Sequence, residues 1–86
     1  MSLEAKYKKK NVDIQQRVKS EMEYVKKGKS KKNYMQLSNI LEELENMMDN
    51  KYLSLCYPRI IVDSWDFNDD LGIELLDLAE LYKRWK

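Results

Sequence analysis

The sequence predicts an all-α protein: a small antiparallel bundle of three to four helices, with a short helical or extended segment at about 51–66. Three observations carry this. Only two Gly and one Pro interrupt 86 residues, so turns are few and long helices are the natural reading. Apolar residues recur at spacings of three and four over three separate stretches. The composition, 43% hydrophobic and 36% charged, is that of a folded chain rather than a disordered one. A chain of this length reads as one domain, residues 1–86. Ordering it costs on the order of 1.5 kcal/mol per residue, so most of its apolar side chains must be buried.

The first helix is expected over residues 3–27, where Tyr7, Ile14, Val18, Met22 and Val25 form one stripe. Repulsion within the lysine cluster at Lys8–Lys10 favours fraying of residues 1–10, with Asn11 as a later N-cap. Gly28 is the natural residue just past the C-terminus. A second helix is expected from Ser30 to about Asp49. Tyr34, Leu37, Leu41, Leu44 and Met48 follow a 3-4-3-4 spacing, with Ile40 and Met47 widening the stripe. Asn50 can close this helix in the left-handed conformation.

Between Lys51 and Phe67 the signals conflict. "YLSLCY" alternates and "RIIV" is β-branched, so a hairpin is the alternative reading. Yet "YP" is a poor hairpin turn, whereas Pro58 suits a helix start and Ile61 and Trp65 form an i,i+4 pair. A short helix from about Pro58 to Trp65 is therefore preferred. The last helix begins near Asn68, capped by Asn68 or Asp66, and Leu71, Leu75, Leu78, Tyr82 and Trp85 form its stripe.

The sequence also bounds the chemistry. It contains no His and one Cys, Cys56. The commonest general base and zinc ligands are thus missing, and no catalytic residue, metal ligand or cofactor site is assigned. The lone cysteine permits no internal disulfide and is expected to be a small core residue. No apolar run approaches the roughly 20 residues that span a bilayer, and "MSLEAKYKKKN" lacks the apolar core of a secretory signal. A cytoplasmic protein without a membrane partner is expected. "GKS" at Gly28–Ser30 lacks the second Gly and the preceding strand of a phosphate-binding loop.

Charge is divided along the chain. Residues 1–33 hold eleven Lys/Arg against four Asp/Glu, a net +7, and residues 34–86 hold five against eleven, a net −6. Oppositely charged helices lying side by side are the simplest account. The segment "KKGKSKK" at Lys26–Lys32 could contact phosphates. However, residues 1–33 hold one Arg, and their aromatics are Tyr7 and Tyr24 only, so a solvated lysine face is preferred over nucleic-acid binding. In the acidic part, from Glu42 to Asp77, stand Tyr52, Tyr57, Trp65 and Phe67. Aromatic anchors within an acidic rim suit a basic protein partner. The candidate partner-binding residues are Glu42, Glu43, Tyr57, Asp63, Asp66 and Phe67; Trp65 is assigned to the core. The expected function is a small non-enzymatic interaction module of the inhibitor, immunity, antitoxin or adaptor type. Self-association as a helical homodimer is a further expectation from the heptad spacings.

Two local resemblances add to this. Asp66, Asn68 and Asp70, then Ile73 and Asp77, look like positions 1, 3, 5, 8 and 12 of the loop in dockerin-type calcium modules. The resemblance implies calcium binding at 66–77, although Leu71 stands where that loop needs Gly and Gly72 comes one place late. Helix capping by these acids is the preferred reading. "CYPR" at Cys56–Arg59, an acidic loop and a final helix ending near a Trp are similar to the nuclease-colicin immunity proteins. Those are four-helix domains that bind a basic nuclease through acidic helix residues and a Tyr-Tyr-Pro segment. Tyr57 and Pro58 match that segment, Cys56 replaces its first Tyr, and the basic first third departs from the family's acidic balance.

Overall fold

A computed structural model describes residues 2–50, 52–66 and 68–85. Four helices follow one another: α1 (Leu3–Lys26), α2 (Tyr34–Asp49), α3 (Tyr57–Ser64) and α4 (Asp70–Trp85), with no strand among the described residues. The all-α prediction holds, and within the 51–66 segment residues 52–56 form an irregular run leading into a short helix rather than a hairpin. No helix among the described residues is long and apolar enough to cross a membrane.

Helix α1 does not fray at its lysines. Ser2 caps it by accepting from the Ala5 amide, and an i,i+4 pair of Glu4 with Lys8 (3.4 Å) offsets part of the repulsion. Its other end is a Schellman motif: the Lys29 amide donates to the Tyr24 carbonyl and the Gly28 amide to the Val25 carbonyl. Gly28 takes φ +74°, the left-handed conformation this motif needs. At about 1.5 Å per residue the 24 residues of α1 extend about 36 Å, close to the 39 Å long axis of the molecule.

Helix α1 packs against both α2 and α4, and α3 against α2 and α4. Tyr7 and Asn11 near the start of α1 meet Met47 and Leu44 late in α2. Tyr7 also meets Tyr82 and Trp85 at the end of α4, its ring stacking on Trp85 at 4.8 Å. Both α2 and α4 therefore run antiparallel to α1. Helix α3 has only eight residues, and residues 52–56 lead into it. The Tyr82 hydroxyl holds that run, donating to the Asn50 carbonyl and accepting from the Leu53 amide.

The core is made of Tyr7, Ile14, Val18, Leu37, Ile40, Leu44, Met47, Tyr57, Ile61, Leu71, Leu75, Leu78, Ala79 and Tyr82. The seam of α2 is 37-40-44-47, not the predicted 34-37-41-44-48, because α2 turns its Ile40 and Met47 side inward while Leu41 and Met48 are half-buried. Asn11 is not an N-cap. It fills the gap between Tyr7 and Ile14, fully buried, donating to the Tyr7 hydroxyl and the Leu44 carbonyl (3.1 Å each) and accepting from Gln15 (2.6 Å). Burial pushes the Tyr7 hydroxyl up to about 12, opposed by its bond with Asn11.

Two helix ends also differ from expectation. Asn50 is extended (φ −137°) rather than left-handed, and its side chain accepts from the Tyr52 amide. Helix α4 is capped by Asp69, whose carboxylate accepts from the Gly72 amide at 2.9 Å. Gly72 is buried in the first turn of α4 because α3 approaches closely. A Cβ there would lie 3.2 Å from Trp65 Cε3 and 3.3 Å from Ile61 Cγ2.

Candidate functional site

The period of a helix sorts the residues of α3. Tyr57, Ile61 and the C-cap Trp65 lie four apart and turn inward, so Arg59, Val62 and Asp63 must turn outward. Tyr57 is fully buried and its hydroxyl donates to the Leu75 carbonyl at 2.7 Å. Burial pushes that hydroxyl well above its ordinary range. Tyr57 is thus a core residue that ties α3 to α4, and its assignment to a partner surface is corrected.

Glu42 and Glu43 share a shallow groove of about 270 Å³ between α2 and the 53–56 run, with Asn39, Asn46 and Cys56. They differ in role. Glu42 is exposed and forms no ion pair among the described residues. The Glu43 carboxylate instead accepts from the backbone amides of Cys56 and Tyr57. It caps α3 from a neighbouring helix, because Cys56 offers no side-chain cap of its own. Cys56 itself is exposed, not the core residue expected.

Asp63 is exposed and pairs with Arg59 at 3.5 Å across one helical turn. That pair is too solvated to hold either side chain firmly. Asp66 is exposed and borders a notch of about 520 Å³ at the end of the bundle, beside Trp65, Lys32 and Asp69. In that notch the Lys32 ammonium bonds Asp69 at 2.6 Å and lies 5.2 Å from the Trp65 ring centre. Burial disfavours the charged form of Asp69, but Lys32 and the Gly72 and Leu71 amides outweigh it and hold the carboxyl below its ordinary range. Trp65 is half-buried against Gly72, as a residue of the core edge. Phe67 lies outside the described residues.

Sequence reasoning named Tyr52 among the aromatics of the acidic part but missed two exposed apolar residues, Met35 and Val62. Among the described residues the three most exposed large hydrophobics are Tyr52 (82%), Val62 (69%) and Met35 (67%). Met35 shares one side of α2 with Asn39, Glu42 and Asn46, by spacings of four, three and four. Val62 lies on α3 beside Asp63, and Tyr52 on the run that joins these two helices. The signal for Val62 was present: once Ile61 and Trp65 point inward, residue 62 cannot.

The calcium loop does not form. Residues 70–77 belong to α4, so Asp77 lies about 10 Å along the helix axis from Asp70, too far for one ion held at about 2.4 Å. No group of three His, Cys, Asp or Glu among the described residues could hold a metal ion. The charge division is met in part by pairing across the bundle, with Lys10 of α1 bonded to Glu74 of α4 at 3.0 Å. No protein family, curated protein or solved structure matches this chain.

Proposed function

We propose that this chain is a small non-enzymatic interaction protein, of the inhibitor, immunity, antitoxin or adaptor type, acting in the cytoplasm on a basic protein. The face that would bind is formed by α2, the 52–56 run and α3. One observation carries the reading: the three most exposed large hydrophobics among the described residues, Tyr52, Val62 and Met35, all fall on these elements, together with Glu42 and Asp63, while Asp66 follows just after α3. Apolar anchors supply desolvated contact, and the surrounding carboxylates supply on-rate and choice of partner. Glu43 holds the face together from beneath by capping α3.

The test is retention of protein from a nuclease-treated lysate of the source organism at about 0.15 M salt. Native chain is compared with an E42K/D63K/D66K variant and a V62A/M35A variant. A basic protein held by the native chain and lost by both variants is the expected result. A protein held equally by native chain and charge-reversed variant overturns the reading, as does the absence of any retained protein.

A further inference from the structure

The end of the bundle that carries the α1–α2 turn has a different chemistry. At the turn from α1 to α2, the lysines at 26, 27, 29 and 31 are all exposed. Two tyrosines flank them: Tyr24 is 49% exposed in the last turns of α1, and Tyr34 is 38% exposed as the first residue of α2. The Lys26 ammonium lies 5.5 Å from the Tyr34 ring centre. The sequence offered Tyr7 and Tyr24 within residues 1–33; Tyr7 is buried, and the turn at Gly28 brings Tyr34 to this end instead. Lys32 is already engaged by Asp69 and Trp65 and is left out of this patch. The acid closest in sequence, Glu23, meets Lys26 at 3.8 Å with both side chains more than half exposed, so it neutralises little. Tyr24 also borders a groove along α1 that holds both Arg17 and Glu21, so that groove adds no net charge to the patch.

We infer that this end binds single-stranded nucleic acid without sequence preference, the lysines at 27, 29 and 31 contacting phosphates and the Tyr24 and Tyr34 rings stacking on bases. Lysine is a point charge that suits a backbone phosphate, whereas reading base edges draws on Arg, Asn or Gln held in a fixed geometry. Exposed rings beside a basic track are the two parts that strand binding requires, since every base has a face to stack. An anionic membrane would use the lysines but gain little from two rings held at the ends of rigid helices. Lys31 and Asp66 line one notch, so this surface adjoins the α2–α3 face, but its lysines and rings are distinct from the residues proposed there.

The experiment is fluorescence anisotropy of labelled dT15 and rU15 oligonucleotides against the full chain, from about 25 to 200 mM salt. Three lysine contacts predict a slope of log K against log salt of about −2, at about −0.7 per contact with a single strand. K27Q/K29Q/K31Q should flatten that slope by about two. Y24A/Y34A should weaken binding at least about fivefold with the slope kept. All of these positions are exposed, and circular dichroism checks that each variant is folded. A duplex of equal length and vesicles containing about one-third anionic lipid are the competitors. Absence of binding at the lowest salt overturns the inference, as does a slope unchanged in the lysine variant. So does competition by duplex or vesicles as strong as that by unlabelled strand, which would leave charge alone as the cause.

Discussion

The buried amide of Asn11 offers the sharpest test of how α1 and α2 are held in register. Replacing Asn11 with Ala removes two buried hydrogen bonds, to the Tyr7 hydroxyl and to the Leu44 carbonyl. At about 1 kcal/mol each these account for about 2 kcal/mol. The missing carboxamide leaves a void at a fully buried position, and a cavity of some 30–40 Å³ adds about 1 kcal/mol. The Tyr7 hydroxyl keeps only its long bond to the Met47 carbonyl, 3.3 Å. The expected loss is therefore about 3 kcal/mol, a large share of the 5–15 kcal/mol that small domains possess, and a fall in melting temperature of about 12–24 °C. Asn11→Leu restores the volume but not the bonds, and should fall between the native chain and N11A. Urea unfolding followed by circular dichroism measures both, with the slope expected to stay constant. An N11A variant within about 0.5 kcal/mol of the native chain would refute the assignment of Asn11 as a structural bridge.

Three further outcomes follow from the same geometry. Glu43→Ala should cost about 1 kcal/mol and speed hydrogen exchange at the Cys56 and Tyr57 amides, whereas Glu42→Ala, at an exposed position, should change stability by less than about 0.5 kcal/mol. Gly72→Val should destabilise by about 2 kcal/mol and expose Trp65 to solvent, read by its fluorescence, because the branched side chain has no room against Trp65 and Ile61. The Asp69 carboxyl is held below its ordinary range in the folded state, so its stabilisation is present at neutral pH and is lost as the pH falls through its folded value. The stability gap between the native chain and Asp69→Asn, measured in urea, should therefore be open at pH 7 and shrink once the pH falls below about 4. A gap that widens with acidification would contradict the sign of that shift.

Much of the candidate binding face could be read before any coordinates, but not its division of labour. Glu42 and Glu43 are neighbours of the same type on one helix, and nothing local separates them. Only the arrival of the 53–56 run over α2 turns Glu43 into a cap and leaves Glu42 to solvent. Tyr57 was assigned outward because it stands among polar and acidic residues. Its burial follows from α3 crossing α4 at Leu75, a contact eighteen positions away. Met35 and Tyr52 carried no periodic signal. Their exposure depends on which side of α2 faces α1 and on where the 52–56 run lies.

Sequence alone determined the all-α class, the approximate extent of the three long helices, the glycine turn at Gly28 and most of the apolar seam of α4, while 51–66 stayed open between a short helix and a hairpin. These are set by spacing and by end residues, which act over one or two turns of backbone. Tertiary structure alone decided that Asn11 lies in the core, that Cys56 is exposed, and that Gly72 serves close packing instead of an ion loop. Each of those depends on which side of a helix a neighbour covers. A polar residue at a stripe position is a cap, a surface residue or a buried bridge according to the carbonyl or hydroxyl that another helix brings to it.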